Sequence, residues 1–248
     1  MVSTTVVFTD LDDTWFHSRR KCQSGATLSP VAFLKDGEAN GFQTVGQAKF
    51  LELLMASAIV MPVTARNIEA FRRVKIEFRD GAILNFGGTI LDPDGAVNEA
   101  WKATMSARCA VIEGLLYDTA EWLETTAAAV GAGVRVRVNA DHGCTFYVLI
   151  KSTDQTENGL DMLEPMLRAH LAMTNLRVIR NGNNLVAIPE WLDKRNAMEF
   201  MAERFRNRHG DILTVGIGDS LSDLNFMKAC DYMMVPSRSQ IRHQMEAG

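Results

Sequence analysis

Two carboxylates spaced two residues apart follow an apolar run near the start of the chain, in Val6-Val7-Phe8-Thr9-Asp10-Leu11-Asp12. Because side chains alternate along a strand, Asp10 and Asp12 are predicted to lie side by side at its end. Carboxylates that close repel each other and are best tolerated when a cation or a proton lies between them. The pattern therefore indicates a hard metal ion, a nucleophile and an acid/base group within a few residues.

Three further polar positions are predicted at the same edge of a sheet. Thr64 ends the apolar run Ile59–Val63, Lys194 begins a helix, and Asp219 with Asp223 follows the run Ile212–Ile217. Open α/β sheets bind ligands at the carboxyl ends of their strands, and residues four apart lie on one face where a helix starts. Oxygen ligands of this kind suit magnesium.

The order of elements predicts an α/β core with a parallel, doubly wound, Rossmann-like sheet. An α+β module, predicted over residues 91–188, interrupts this core, so that residues 1–90 and 189–248 form one domain. The expected core elements are strands at 5–9, 59–64, 82–85, 212–217 and 232–235, helices at 46–58, 68–79, 196–208 and 220–229, and a hairpin around the Asp36-Gly37 turn. In the module we expect helices at 98–130 and 159–172 and strands at 134–139, 145–150, 177–180 and 185–188.

Bulk composition excludes several classes of protein. The 248 residues are 47% hydrophobic with a net charge of −4, which gives no electrostatic case for binding nucleic acid or an anionic membrane. No apolar run approaches the length of a membrane span, and no signal peptide is visible. The cysteines form no CxxC pair, which favours free thiols in a reducing compartment. We therefore expect a cytoplasmic protein.

These motifs, taken in order, resemble those of the haloacid-dehalogenase-like hydrolase superfamily, most of whose members are phosphatases. The motifs are Asp10-Leu11-Asp12-Asp13-Thr14, Thr64, Lys194 and Gly218-Asp219-Ser220-Leu221-Ser222-Asp223, and the insert lies where type-two caps of that superfamily lie. Asp13-Thr14-Trp15 and Asn85-Phe86-Gly87-Gly88-Thr89-Ile90 resemble segments of its sucrose-phosphatase-like branch. Asp13, Ala65 and Ser222 depart from the common residues of the superfamily but remove no catalytic group.

The resemblance implies a mechanism and a role for each position. Asp10 is implied as the nucleophile that forms an aspartyl-phosphate, and Asp12 as the general acid and base. Mg²⁺ is the implied cofactor, held by Asp10, the backbone carbonyl of Asp12 and Asp219, with Asp223 acting through water or orienting Lys194. Thr64, Lys194 and backbone amides near Leu11 and Asp12 are implied to bind the phosphate oxygens.

A small phosphorylated molecule, in the first place a sugar phosphate, is the expected substrate. Arg135 and Arg137 alternate with valines and are candidates for substrate binding on the cap, with Tyr147 across the hairpin; a solvated sheet face explains the arginines equally well. The acidic residue that the sucrose-phosphatase branch has before its closing Ile/Leu-Pro is missing from Asn184-Leu185-Val186-Ala187-Ile188-Pro189. Alternatives are therefore trehalose phosphate, mannosyl-phosphoglycerate, a phosphotransferase or phosphomutase reaction, and a non-catalytic sugar-phosphate sensor.

Overall fold

The computed structural model describes residues 4–153 and 157–247, and these fall into two compact units. One unit contains the residues up to Trp101 together with those from Asp193 onward, and the other is Lys102–Leu192. The strands are β1 (Thr4–Thr9), β2 (Leu28–Phe33), β3 (Ala39–Thr44), β4 (Ile59–Pro62), β5 (Ala82–Leu84), β6 (Thr89–Leu91), β7 (Val134–Asp141), β8 (Cys144–Ser152), β9 (Leu176–Asn181), β10 (Asn184–Pro189), β11 (Ile212–Ile217) and β12 (Tyr232–Met234). The helices are α1 (Val45–Ser57), α2 (Ile68–Phe71), α3 (Glu99–Val130), α4 (Asn158–Leu171), α5 (Lys194–His209), α6 (Leu224–Met227) and α7 (Gln240–Ala247).

The first unit is built on a parallel sheet with strand order β12-β11-β1-β4. β1 is central, and its residues Val6, Val7 and Phe8 are almost completely buried, as expected for a strand covered on both faces. Leu11, Trp15, Leu51 and further apolar residues form the core beside it. The predicted parallel α/β fold class is therefore confirmed.

Two predicted core elements differ from the structure. The helix expected over 68–79 ends at Phe71, because the following segment runs along the hairpin of β2 and β3 instead: the Lys75 amide donates to the Val31 carbonyl at 2.7 Å. The β-branched Val74 and Ile76 also disfavour helix there. β5 pairs antiparallel with β6, and an isolated bridge between Val63 and Ile83 connects it to the parallel sheet.

The helix predicted over 220–229 is also shorter and begins differently. Residues Leu221–Asp223 form a 3₁₀ turn that leads into α6. Ser220 and Asp223 close this turn with reciprocal hydrogen bonds, in the manner of a capping box. Asp219 therefore lies before the turn rather than on the face of a regular helix.

The second unit, Lys102–Leu192, has the α+β architecture that was predicted for a module over residues 91–188. Its antiparallel sheet has the order β7-β8-β10-β9, and helices α3 and α4 pack on one face of it. The buried face of α4 carries Leu160, Leu163, Leu167 and Leu171, whose spacing places them on one stripe. Among the described residues, no helix combines the length and the apolar character needed to cross a membrane.

Candidate active site

The carboxyl ends of β1, β4 and β11 bring the sequence-predicted residues of the first unit to one edge of the sheet. Asp10 directly follows β1, and its amide donates to the Ile217 carbonyl at 2.8 Å, which ties it to the end of β11. Thr64 follows β4, and Asp219 lies two residues after β11. The geometry brings Asp10, Lys194, Asp219 and Asp223 together and has Thr64 just beyond the end of the neighbouring strand β4. The role of each residue remains a prediction.

Lys194 joins two of the acids directly. Its Nζ donates to Asp10 Oδ1 and to Asp223 Oδ1, each at 2.6 Å, and its side chain is only 3% exposed. Burial alone would lower the pKa of Lys194, but the adjacent carboxylates of Asp10 and Asp223 outweigh burial and raise it, so the ammonium stays charged. The other oxygen of Asp223 accepts hydrogen bonds from the amide and hydroxyl of Ser220. Asp223 is thus built to hold Lys194 and the 3₁₀ turn in place.

Three acids form a cluster with the geometry of a metal site. Carboxylate oxygens of Asp10, Asp219 and Asp223 lie within 4.8 Å of one another, and all three residues are buried. Burial raises the pKa of Asp10 well above its usual value against the opposing effect of Lys194. Burial, followed by the charges of Asp223 and Asp13, raises the pKa of Asp219 to about 7.

The charge of this cluster fits a divalent cation. When every group is ionised, three carboxylates and one ammonium leave two negative charges without compensation, which is the charge that Mg²⁺ would balance. Burial is the main cause of the raised pKa values of Asp10 and Asp219, and the neighbouring carboxylates add to it in the same direction. The all-oxygen donor set also suits Mg²⁺ rather than a thiophilic metal.

Asp12 does not join the buried acids. Its carboxylate is half exposed and forms a bidentate ion pair with Arg66, whose Nε and Nη2 each donate at 2.7 Å. Arg66 is held on its other side by the Ala70 carbonyl at 3.1 Å and by the face of the Phe16 ring. β1 ends at Thr9, so both acids lie beyond the strand, and they have different cationic partners: Lys194 for the buried Asp10 and Arg66 for Asp12. Their predicted side-by-side arrangement stays a prediction.

Arg66 is a residue that the sequence argument missed. The sequence pattern identifies Thr64 but contains no signal that Arg66, two residues later, reaches back to Asp12. Burial alone would lower the pKa of Arg66, but its hydrogen bonds to Asp12 raise it above the ordinary value. A planar guanidinium that matches both carboxylate oxygens fixes the direction of Asp12 more strictly than a lysine would.

Asp13 is the centre of a second hydrogen-bond network that the sequence pattern does not predict. It has a positive φ of 63°, a conformation that costs free energy for residues other than glycine, asparagine and aspartate. Its carboxylate accepts hydrogen bonds from Lys21 and from His17 Nδ1, and the Gln47 amide donates to His17 Nε2 at 3.2 Å. His17 therefore carries its hydrogen on Nδ1. Burial would raise the pKa of Asp13, but these hydrogen bonds lower it, so Asp13 adds a fixed negative charge beside Asp219.

The predicted phosphate contacts have suitable donors in place. Within the described part of the chain, the amides of Leu11 and Asp12 donate to no protein group, so they are available to an anion. Thr64 is 2% exposed, and its hydroxyl oxygen accepts a hydrogen bond from the Arg66 amide at 3.2 Å, which leaves its own hydrogen to donate.

A left-handed turn packs against the start of α5, where Lys194 lies. Asn85 and Phe86 have φ of 53° and 56°, and their amides donate to the carbonyls of Arg66 and Thr64. The next residue, Gly87, comes so close to α5 that a Cβ added there would lie 2.5 Å from the Asp193 carbonyl oxygen. The turn thus connects the Thr64 loop to the start of the helix that carries Lys194.

The three predicted cap residues lie on one face of the second unit's sheet. Asn139 pairs with Tyr147 in the register of β7 and β8, so Tyr147 shares the face of Arg135 and Arg137 and not the face covered by α3 and α4. Both arginines are exposed, whereas Tyr147 is 4% exposed and burial raises its pKa. Their contact with a substrate remains a prediction.

Comparison with known proteins adds information only at the level of structure. The sequence matches no protein-family model, and it matches none of the curated proteins. Sucrose-phosphatase from Synechocystis sp. PCC6803, solved with sucrose and phosphate, is similar with a TM-score of 0.56 at 14% identity, over 99% of this chain and 88% of that one.

Two further solved structures share the same architecture. The C-terminal domain of trehalose-6-phosphate phosphatase from C. albicans has a TM-score of 0.60 at 9% identity, covering 92% of this chain and 74% of that one. A haloacid-dehalogenase-like hydrolase from B. subtilis has a TM-score of 0.52 at 13% identity, covering 98% and 97%. Identities this low establish the fold alone, which agrees with the parallel core and inserted α+β module. The chain therefore has the fold of the haloacid-dehalogenase-like hydrolases, in the form that sucrose-phosphatase and trehalose-6-phosphate phosphatase also adopt.

Proposed function

We propose that this protein is a magnesium-dependent phosphatase that hydrolyses a phosphate monoester of a sugar through an aspartyl-phosphate intermediate. One observation carries the proposal: a buried lysine bridges Asp10 and Asp223 at a sheet edge where Asp219 completes an acidic cluster. A structural ion pair needs one acid for one base, and the surplus of buried acids is costly unless a cation is bound.

In the first step an oxygen of Asp10 attacks phosphorus. The bond between phosphorus and the leaving oxygen breaks, and its electron pair goes to that oxygen, which takes a proton from the Asp12 carboxyl group. The product is an acyl phosphate on Asp10 and a free sugar hydroxyl.

In the second step Asp12, now a carboxylate, takes a proton from water. The water oxygen bonds to phosphorus, and the bond between phosphorus and the Asp10 oxygen breaks, which releases inorganic phosphate. In both steps Asp12 must exchange at least one of its two hydrogen bonds to Arg66 for one to substrate or water.

Charge compensation accounts for the remaining residues. In this proposal Lys194, the Thr64 hydroxyl and the amides of Leu11 and Asp12 donate to phosphate oxygens, because phosphoryl transfer depends mainly on positioning and on neutralising negative charge. Mg²⁺ held by Asp10, the Asp12 carbonyl and Asp219 would let an anionic nucleophile approach an anionic phosphate.

The choice of a sugar phosphate rests on the fold and the cap. Two of the similar structures are phosphatases whose names specify sucrose and trehalose 6-phosphate. The inserted second unit presents the exposed Arg135 and Arg137 on the sheet face opposite α3 and α4, where anionic and hydroxyl groups would find donors, and the buried Tyr147 lies on the same face. We propose that this unit selects the substrate while the first unit performs the reaction.

The direct test is phosphate release across a panel of phosphorylated sugars, sugar acids and nucleotides, with and without MgCl₂. Asp10→Asn is expected to abolish release while the circular dichroism spectrum stays unchanged. Asp118→Asn, an exposed acid on α3, serves as the matched control and is expected to retain full activity. Turnover by Asp10→Asn comparable to wild type would exclude Asp10 as the nucleophile. With a substrate labelled on its phosphate, transfer of the label to an acceptor sugar instead of inorganic phosphate would indicate a phosphotransferase.

A further inference from the structure

The sheet of the second unit carries an excess of basic residues. Its strands β7, β8, β9 and β10 contain one acidic residue, Asp141, against five basic ones: Arg135, Arg137, Lys151, Arg177 and Arg180. Arg180 lies on the face covered by α4, where it pairs with three acidic residues in or next to that helix. Arg177 donates to the Leu192 carbonyl at 3.0 Å. The other three basic residues are not explained by such contacts.

Arg135, Arg137 and Lys151 have no acidic partner among the described residues. All three are exposed, and they lie on the sheet face opposite α3 and α4. Arg137 Nη2 donates to Asn139 Oδ1, an uncharged acceptor, at 3.1 Å. Asp141 is the last residue of β7, roughly 13 Å beyond Arg137 along an extended strand. Three positive charges are therefore concentrated on one face of a chain whose net charge is −4.

The strand register places two of these charges directly opposite each other. Arg135 of β7 pairs with Lys151 of β8, which sets their Cβ atoms about 4.5–5.5 Å apart. Arg137 follows two residues later on the same face of β7. Like charges directly opposite in a sheet are destabilising, so a purely structural role would favour an acidic residue at one of these positions. An anion bound between them would remove the repulsion and accept charge-assisted hydrogen bonds.

Amide side chains continue the same row across the sheet. Lys151 pairs with Asn184 of β10, and Asn184 pairs with Asn181 of β9. The row therefore crosses all four strands, over roughly 14 Å, with two cations at one end and two amides at the other. Amides both donate to and accept from hydroxyl groups, whereas the cationic end only donates. Such a row suits a polyhydroxylated ligand with an anionic group at one end.

We propose that the substrate carries a second anionic group besides the phosphate that is removed, and that Arg135, Arg137 and Lys151 bind this group. The inference rests on the proposed function in one respect, because it takes the ligand of the second unit to be the substrate of the phosphatase. The substrate class is then a phosphorylated sugar acid or a sugar bisphosphate, rather than a phosphate ester of an uncharged sugar.

Three substrates that differ only at carbon 6 test the proposal: glucose 1-phosphate, glucuronate 1-phosphate and glucose 1,6-bisphosphate. With MgCl₂, one of the two doubly acidic substrates is expected to have a kcat/KM about tenfold or more above that of glucose 1-phosphate. Which of the two is preferred identifies the second group as a carboxylate or a phosphate.

Variants of the basic row assign the preference to it. Arg135→Gln and Lys151→Gln should each lower kcat/KM for the preferred acidic substrate about fivefold or more beyond any loss with glucose 1-phosphate, and Lys151→Arg should retain the preference. Arg168→Gln is the matched control, because Arg168 is exposed on α4, on the other side of the sheet, and its loss removes the same charge. This control should leave the preference unchanged.

A binding measurement separates this proposal from the phosphatase proposal. In EDTA, where the metal-dependent reaction cannot run, the preferred acidic substrate should shift the amide resonances of Arg135, Arg137 and Lys151 in the full ¹⁵N-labelled chain, with a Kd about tenfold or more below that of glucose 1-phosphate. Such shifts without phosphate release in MgCl₂ would refute the phosphatase and support the anion site. Phosphate release at equal kcat/KM from all three substrates, or a preference that both glutamine variants retain, would overturn the anion site while leaving the phosphatase intact.

Discussion

Replacing Lys194 by methionine should destabilise the protein more than any surface substitution, because it removes the one cation between two buried acids. Its Nζ lies 2.6 Å from an oxygen of Asp10 and 2.6 Å from an oxygen of Asp223, and those side chains are 9% and 0% exposed. Removing one partner of a buried ion pair costs about 3–5 kcal/mol, since the remaining charge loses its compensation. We expect a loss of this size in the free energy of unfolding at neutral pH.

The measurement is urea unfolding followed by circular dichroism, with EDTA present so that no metal compensates for the lost lysine. Lys228→Met is the matched control, because Lys228 is exposed on the first unit and should change stability by less than about 0.5 kcal/mol. The deficit of Lys194→Met should shrink as the pH is lowered, because protonation of Asp10 removes the repulsion that the variant suffers. A variant within about 1 kcal/mol of the Lys228 control would refute the account of the buried pair.

Three further outcomes follow from the site and its surroundings. Arg66→Lys should lower kcat about 10-fold to 100-fold for a sugar phosphate and less for p-nitrophenyl phosphate, whose leaving group needs no proton from Asp12; equal losses would show that Arg66 does not act through Asp12. Burial raises the pKa of Asp219 from 3.8 to about 7, so the folded protein loses stability as the pH rises between these two values. Mg²⁺ binds the ionised carboxylate, so the increase in Tm on adding MgCl₂ should grow over the same pH range. A pH-independent increase would contradict that assignment. Thr9→Val should cost about 1–3 kcal/mol in urea unfolding, because Trp15 Nε1 donates to the Thr9 hydroxyl at 2.6 Å and would lose a buried acceptor; unchanged stability would count against this.

The parts of the site that the sequence predicted are those set by strand ends. Asp10, Thr64 and Asp219 each follow an apolar run that had to be a buried strand, and parallel strands bring their carboxyl ends to one edge. Lys194 was placed correctly at a helix start, because the insert ends just before it. The roles of these residues are still to be tested by experiment.

The parts that were missed depend on side chains that reach across loops. Arg66 meets Asp12 at a separation of 54 residues, and no local pattern encodes that contact. Asp13 was noted only as an unusual residue, although its positive φ and its link to His17 place it beside Asp219. The helix predicted over 68–79 failed for a related reason: tertiary pairing with β2 overrode a helical pattern that was apolar at the right spacing.

The strand order of the first unit has a consequence for synthesis on the ribosome. β1 pairs with β4 on one side and with β11 on the other, and the whole second unit is translated between β4 and β11. Until β11 has left the ribosome, one edge of the apolar central strand β1 has no partner. Asp10 likewise lacks its ion pair until Lys194 has been translated. The nascent first unit therefore passes through a stage with an open strand edge, when aggregation competes with folding. A second unit that folds promptly by itself would shorten that exposure by bringing the two halves of the sheet toward each other before translation ends.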